Sequence, residues 1–181
     1  MPALPPDAYV TSLEEVFWGG VLVAITMTLH AFGMPIILRV QDAWQVRAQK
    51  HPSFAKGIGG LILASWAILL VHLLEVMVWA AFFFWKGALP TRSLAYYFSL
   101  NEYTTVGSAF SLPIRWRLLE GMIAMAGLLT FAWSTGILFT LAQDFQEQQA
   151  QIRKLRLEKK AAKAKLKERS ASKQQTPKAP R

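Results

Sequence analysis

Residues 58–85 read IGGLILASWAILLVHLLEVMVWAAFFFW, and this stretch decides the fold class. Its only ionisable side chains belong to His72 and Glu75. A bilayer core of about 30 Å needs roughly 20 helical residues, so the stretch is long enough to cross a membrane. In lipid the run must be helical, because unpaired backbone groups are costly there. It exceeds the required length, and we therefore expect this helix to tilt or to protrude.

Two further apolar stretches, at 16–38 and 118–142, have the length of membrane spans. The first contains His30 and no charged side chain, and the second contains only Glu120, close to its start. Of the 181 residues, 53% are hydrophobic and 17% are charged, whereas soluble domains average about 25% charged residues. The sequence therefore predicts an all-α membrane protein with three transmembrane helices. We expect no cleavable signal peptide, because the first apolar stretch is too long for one.

The loop charges predict the orientation of these spans. The segment 1–15 has no Lys or Arg, the loop 39–57 is basic, and the tail 143–181 holds 12 of the 20 Lys and Arg residues. Basic loops stay on the cytoplasmic side of a membrane. We therefore expect an extracytoplasmic N-terminal segment, a cytoplasmic loop and a cytoplasmic tail in the inner (plasma) membrane. The segment 86–117 then lies outside, although its four basic residues weaken the contrast.

The segment between the second and third spans contains a short apolar, aromatic-rich stretch at 94–103, for which Ser93 is a suitable N-cap. About 10 residues are too few to cross a bilayer. The stretch is therefore expected to be a re-entrant or interfacial helix, and it is followed directly by the sequence TTVG at 104–107. The alternative is that residues 90–116 form an ordinary extracellular loop.

The order of a long helix, a short pore helix, the TTVG sequence, an extended return and a glycine-containing inner helix resembles the pore unit of the small bacterial potassium and ion channel family. The resemblance covers residues 58–142, and the span 16–38 is then an extra N-terminal helix. It implies a homotetramer, because one re-entrant loop supplies only a quarter of a filter. It also implies K⁺ or another monovalent cation bound by backbone carbonyl or hydroxyl oxygens. The ion-pathway residues that the resemblance implies are Thr104, Thr105, Val106, Gly107 and Ser108, with Glu102 behind the filter or at its rim.

The chain departs from that family directly after Gly107. Where the family has Tyr-Gly-Asp, this chain has Ser108, Ala109 and Phe110. Ala109 replaces a glycine that takes a positive φ, which costs an L-residue about 1–2 kcal/mol, and Phe110 removes a carboxylate from the outer mouth. We therefore expect a weakly selective cation pore, or a pore fold that no longer conducts, rather than strict potassium selectivity.

His30, His72 and Glu75 form a polar group inside the spans. His72 and Glu75 lie at i and i+3, on one helix face, and His30 falls at a similar depth in the first span. Ionisable groups in the membrane interior are rare, costly and usually paired. Three interpretations remain open: a hydrogen-bonded group that fastens two helices, a proton-sensitive switch, or a metal site with these three ligands.

The third span and the tail carry two further patterns. Gly127 and Gly136 are candidates for a gating hinge or for close helix packing. The tail from 143 to 168 lacks Pro and Gly and is expected to continue the third span as a helix. Heptad spacing allows a coiled coil there, and a solvated basic helix near anionic lipid is the alternative. The heptad positions are Phe145, Ile152, Leu155, Ala162 and Leu166, and 170–181 is expected to be disordered.

The composition argues against several other functions. The chain has no Cys, which excludes disulfides, zinc-thiolate sites and thiol catalysis. Its net charge of +9 belongs to the tail, and no base-reading motif accompanies the charge, so nucleic acid is not an expected partner. No nucleotide motif is present, and we expect a protein that is not an enzyme.

Overall fold

The computed structural model describes residues 9–49 and 54–174, and every secondary-structure element in these ranges is helical. Three helices, α1, α2 and α4, are long and apolar enough to cross a membrane. The predicted all-α fold with three such helices is therefore confirmed. The α-helices are α1 (Leu13–Gln49), α2 (Phe54–Trp85), α3 (Arg92–Tyr103) and α4 (Leu118–Gln174), and a 3₁₀ turn (Ile114–Trp116) precedes α4.

The long helices pack on one another through small residues. Gly19 of α1 lies against Met122 of α4, and Gly33 of α1 lies against Val71 of α2. Small residues let helix backbones approach closely, which matters in lipid because hydrophobic burial gives no driving force between helices there. Helix α1 therefore contacts both α2 and α4.

Aromatic side chains gather at the end of the bundle where α2 stops. The rings of Trp18, Phe82, Trp85 and Trp116 contact one another there. The Nζ atom of Lys86 lies 4.4 Å from the Trp18 ring centre and 4.7 Å from the Trp85 ring centre, distances at which a cation–π interaction is stabilising. Tryptophan-rich clusters of this kind are typical of the membrane–water interface.

Glu15 joins the starts of two helices at this same end. Its carboxylate accepts a hydrogen bond from the Ser12 N–H at 3.0 Å, and the Ser12 hydroxyl accepts one from the Glu15 N–H at 3.2 Å. This reciprocal pair is a capping box at the start of α1. The second carboxylate oxygen accepts from the Leu118 N–H at 3.0 Å, at the start of α4. One fully buried carboxylate therefore holds the ends of α1 and α4 together.

The variant Glu15→Ala is expected to lower the free energy of unfolding by about 1–3 kcal/mol, because N–H groups at two helix starts lose their acceptor. Glu15→Gln keeps an acceptor oxygen and is expected to cost less. Thermal unfolding of both variants in detergent or nanodiscs measures the difference. A Glu15→Ala protein as stable as the wild type would contradict the capping role.

Helix α3 begins at a different cap from the predicted one. Thr91 has an extended backbone, and its hydroxyl accepts a hydrogen bond from the Leu94 N–H at 3.1 Å. The predicted cap, Ser93, lies inside the helix, because the chain becomes helical at Arg92 already. The short helix itself is confirmed over nearly the predicted residues.

Helix α3 packs between α2 and α4. Phe98 meets Phe83 of α2 edge to face, with ring centres 5.6 Å apart. On the other side, a Cβ atom added at Gly127 of α4 would lie 1.9 Å from the carbonyl oxygen of Tyr103. A Cβ added at Gly136 would meet nothing within 4 Å. Of the two glycines considered as hinges, Gly127 therefore marks a close packing contact.

The helices extend beyond the predicted membrane boundaries. Helix α1 continues to Gln49 and α2 begins at Phe54, so the predicted loop 39–57 is largely helical. Hydropathy marks where apolar side chains stop, whereas backbone hydrogen bonds continue a helix through polar residues. The position of 39–57 on the cytoplasmic side of the membrane stays a prediction.

Helix α4 confirms the predicted helical continuation into the tail, and it runs on to Gln174. The predicted disorder from 170 onward is therefore wrong for the residues up to 174, and 175–181 lie outside the described residues. Phe145, a proposed heptad position, packs against Phe54 of α2 with ring centres 5.6 Å apart. The coiled coil concerns contacts between copies and stays a prediction.

Candidate functional site

Six buried polar side chains from all four helices meet inside the bundle, and we call them the polar cluster. Each helix contributes at least one member, so the cluster forms only when the whole bundle is assembled. Their burial excludes water from the hydrogen bonds between them. The members are His30 of α1, His72 and Glu75 of α2, Tyr103 of α3, and Thr130 and Ser134 of α4.

Glu75 is the centre of the polar cluster. Its Oε1 lies 2.9 Å from Nδ1 of His30, and its Oε2 lies 3.3 Å from Nδ1 of His72. The Tyr103 hydroxyl donates a hydrogen bond to the same Oε2 and lies 2.9 Å from Nδ1 of His72. Groups from three helices therefore meet one carboxylate, which compensates for the cost of placing that carboxylate inside a membrane.

Two hydroxyls of α4 complete the polar cluster. Ser134 Oγ lies 3.0 Å from Nε2 of His72 and 3.3 Å from Nε2 of His30. Thr130 Oγ1 lies 2.6 Å from the Tyr103 hydroxyl and donates to the Ala126 carbonyl at 3.1 Å. Residues four apart share one helix face, so one face of α4 supplies both hydroxyls.

The polar cluster contains a compact set of atoms that bind metals. One such atom each from His30, His72 and Glu75 lies within 4.8 Å of the others. Aromatic rings line the cluster, since the His72 ring centre lies 4.6 Å from that of Phe131 and the His30 ring centre lies 5.4 Å from that of Trp133. The arrangement can therefore hold a proton or a metal ion away from bulk water.

The sequence predicts part of this cluster. It places His30, His72 and Glu75 at one depth, and the structure brings the three together. It does not predict the role of Tyr103 or of the two hydroxyls of α4. The only signal in the sequence for those hydroxyls was a pair of polar residues spaced by four in an apolar span.

The predicted ion-pathway segment forms a turn at the end of α3, and we call residues 104–108 the filter turn. Its first four N–H groups donate to backbone carbonyls of α3 at 2.9–3.2 Å. The fifth, that of Ser108, donates to the Glu102 carboxylate at 2.8 Å. Among the described residues, none donates a hydrogen bond to the five carbonyls of the turn. All five N–H groups of the turn therefore donate hydrogen bonds, whereas its carbonyl oxygens accept none from the part of the chain that the structure describes.

Two residues of the filter turn have a positive φ. The value is 79° at Gly107, as its lack of a side chain allows, and 61° at Thr105. The left-handed conformation costs an L-residue about 1–2 kcal/mol, and it is rarest for β-branched side chains such as threonine. Strained residues of this kind concentrate at functional sites. Val106, between them, is 76% exposed.

Two carboxylates hold the loop around the filter turn. Burial raises the pKa of Glu102 above its ordinary value, the Ser108 N–H opposes this shift, and the negative charge of Glu120 adds to it. Glu120 accepts a hydrogen bond from the Leu112 N–H at 2.6 Å. Glu102 therefore closes the turn itself, and Glu120 fixes the return of the chain to α4.

The polar cluster and the filter turn are the two candidate functional features of the chain. No protein-family model matches the chain, and no curated protein or solved structure is significantly similar to it.

Proposed function

We propose that this chain is the subunit of a cation-channel-like membrane protein, in which four copies surround one pore and the filter turn faces the ion. The observation that carries this proposal is the polarity of the turn. Its five N–H groups donate back to α3 or to Glu102, and no described residue donates to its five carbonyls. A backbone segment with used donors and free acceptors attracts cations, because carbonyl oxygens replace the water around the ion.

The depth of α3 supports a re-entrant path for this segment. Glu75 lies ten residues before the end of α2 at Trp85, which is about 15 Å of helical rise, and the Tyr103 hydroxyl contacts it. Gly127 lies nine residues after the start of α4 and touches the Tyr103 backbone. Non-helical backbone at such a depth is tolerated where it lines a cavity or is buried in protein.

The electrostatics of α3 favour a cation. The C-terminal end of a helix carries a partial negative charge of about one half, and this end of α3 adjoins the filter turn. The Glu102 carboxylate lies at the same place, bonded to the Ser108 N–H. In a tetramer, four such ends and four carboxylates would surround the axis.

The conformation of the chain after the filter turn favours weak cation selectivity over strict selectivity for potassium. The Ser108 hydroxyl accepts a hydrogen bond from the Phe110 N–H at 3.1 Å, so the chain turns locally where a longer filter would continue. Only the filter turn is then available for coordination. We propose that K⁺ and other monovalent cations pass with little discrimination.

The loop charges support an orientation for the assembly. The positive-inside rule places the start of α1 outside and the basic part of α4 in the cytoplasm. Helix α3 then enters the membrane from outside. The basic helical tail lies below the pore, where it meets its counterparts or anionic lipid.

The reconstituted full-length chain is expected to be a tetramer and to let Rb⁺ or Tl⁺ into vesicles. The variant Gly107→Ala adds a Cβ at a residue with a φ of 79°, which costs about 1–2 kcal/mol. If the turn must keep this conformation, the flux is expected to fall about tenfold. Tracer flux into vesicles of matched protein content measures this.

Gly121→Ala is the matched control, since a Cβ at Gly121 meets nothing within 4 Å, and its flux should equal that of the wild type. A monomer in native mass spectrometry would overturn the proposal. So would the absence of flux at every voltage, pH and calcium concentration tried, and the polar cluster would then be the functional centre of a non-conducting protein.

A further inference from the structure

We propose that His30, His72 and Glu75 bind one divalent transition-metal ion, for which zinc fits best, and that the Tyr103 hydroxyl is the fourth ligand. The site does not depend on a conducting pore. Its support comes from the donor atoms, from their spacing and from the groups that contact them from behind.

The donor set selects the class of metal. Two imidazole nitrogens and one carboxylate are ligands that zinc and related ions accept, and the Tyr103 hydroxyl would take the fourth position, where many such sites hold water. Calcium and magnesium prefer oxygen ligands alone. Magnesium also keeps several bound waters, whereas the donor atoms here belong to buried side chains.

The donors lie close enough together to share one ion. Ligands about 2.0–2.1 Å from a zinc ion lie roughly 3.3–3.4 Å from one another. Here Nδ1 of His30 is 2.9 Å from Glu75 Oε1, Nδ1 of His72 is 3.3 Å from Glu75 Oε2, and the Tyr103 hydroxyl is 2.9 Å from Nδ1 of His72. These three separations are within about half an ångström of that value, and one donor atom each from His30, His72 and Glu75 lies within 4.8 Å of the others.

The groups behind the imidazoles fit a metal as well. Both Nε2 atoms meet Ser134 Oγ, at 3.0 Å and 3.3 Å. A hydroxyl has one hydrogen and two lone pairs, so it cannot donate to two rings but can accept from two. In the metal-bound form both rings would donate to Ser134 through Nε2–H, which leaves the lone pairs of both Nδ1 atoms for the ion beside Glu75. Imidazoles that bind a metal have this arrangement, with the second N–H given to an outer acceptor.

The charge balance of the site is favourable in an apolar bundle. The Glu75 carboxylate offsets one of the two positive charges of a divalent ion, which reduces the cost of burying that ion. One protonated imidazole would satisfy the Ser134 hydroxyl in another way, with one ring donating to it and the other accepting from it. A proton bound by the cluster is therefore the alternative to a metal ion.

A metal at this position would link α1, α2 and α3 through their own side chains. Tyr103 directly precedes Thr104, the first residue of the filter turn. The ion would therefore fix the end of α3 from behind the turn.

The test uses full-length protein in nanodiscs, stripped of metal and titrated with Co²⁺. One Co²⁺ per chain is expected, with the visible absorption of a four-coordinate ion, and Zn²⁺ should displace it. Ser134→Ala removes only a hydroxyl and is expected to weaken binding about 10–100-fold, as loss of an outer acceptor does. Glu75→Gln is expected to abolish stoichiometric binding.

The control is His51→Ala, which removes the one histidine outside the proposed site and should leave Co²⁺ binding unchanged. If Glu75→Gln does not fold, Ser134→Ala still decides the question. Absence of stoichiometric Co²⁺ binding, or equal binding by Ser134→Ala and the wild type, would overturn the proposal. The polar cluster would then hold a proton in place of a metal.

Discussion

Gly127→Ala is expected to lower the free energy of unfolding by about 2–3 kcal/mol, at the upper end of the cost of overpacking a core. The added Cβ would lie 1.9 Å from the carbonyl oxygen of Tyr103 and 2.9 Å from its carbonyl carbon. Both are backbone atoms, so no side-chain rotation relieves the clash and the end of α3 must move. That movement draws the Tyr103 hydroxyl away from Glu75 and Thr130. Reversible unfolding in mixed micelles measures the change.

Gly136→Ala is the matched control in the same helix. A Cβ at Gly136 meets nothing within 4 Å, and alanine is a better helix former than glycine by about 1 kcal/mol. The control should therefore be as stable as the wild type or more stable. If Gly127→Ala behaved like Gly136→Ala, α3 would not dock on α4 as described, and the support for a re-entrant path would be lost.

The long apolar helices are predictable from sequence because few backbone conformations satisfy all their hydrogen bonds in lipid. A run such as 58–85, with two ionisable residues, has to be a helix if it lies in a bilayer. The ends of the helices are less predictable. The residues at 39–49 are polar enough to lie outside the apolar layer and are still helical, because no proline or glycine stops the helix there.

The sequence predicts how deep the residues of the polar cluster lie in the spans, but it does not predict in which direction their side chains point. Counting residues along two spans places His30 level with His72, whereas the rotation of each helix depends on contacts such as Gly33 against Val71. The part played by Tyr103 depends on how far α3 descends along α4. That distance is set by the Gly127 contact, and no local pattern in the sequence encodes it.

The backbone conformation of the filter turn is also only partly predictable from the sequence. Glycine at 107 suggests a positive φ, and the value is 79°. The positive φ of Thr105, 61°, is not suggested by its residue type, because β-branched residues avoid this region. The hydrogen bonds from the turn to the end of α3 impose the conformation, and they exist only once the helix has formed.

Glu75→Ala is expected to be the most destabilising of the substitutions considered, with a loss of about 3–5 kcal/mol, the cost of breaking a buried ionic group by removing one partner. Glu75 is fully buried, and its removal leaves two imidazoles and the Tyr103 hydroxyl without their common acceptor. Hydrogen bonds between membrane helices average only about 0.6 kcal/mol. Three neutral bonds would therefore account for roughly 2 kcal/mol, and a larger loss indicates that the cluster holds a charge.

Glu14→Ala provides the matched control for this measurement. Glu14 pairs with Arg115 at the surface, where the two side chains are 39% and 66% exposed, and such pairs contribute no more than about 1 kcal/mol. Unfolding of both variants should be compared in the same nanodiscs, with and without Zn²⁺. A loss below roughly 2 kcal/mol for Glu75→Ala would show that the cluster consists of neutral hydrogen bonds.

The triple variant His30→Leu, His72→Leu, Glu75→Leu separates the structural role of the cluster from metal binding. Replacing a whole buried ionic group by apolar side chains is often neutral or stabilising by about 1–4 kcal/mol. We therefore expect this variant to recover most of the stability that Glu75→Ala loses, while it binds no metal. Recovery would show that stability alone does not require His30, His72 and Glu75. A triple variant no more stable than Glu75→Ala would instead identify the cluster as the structural fastener of the bundle.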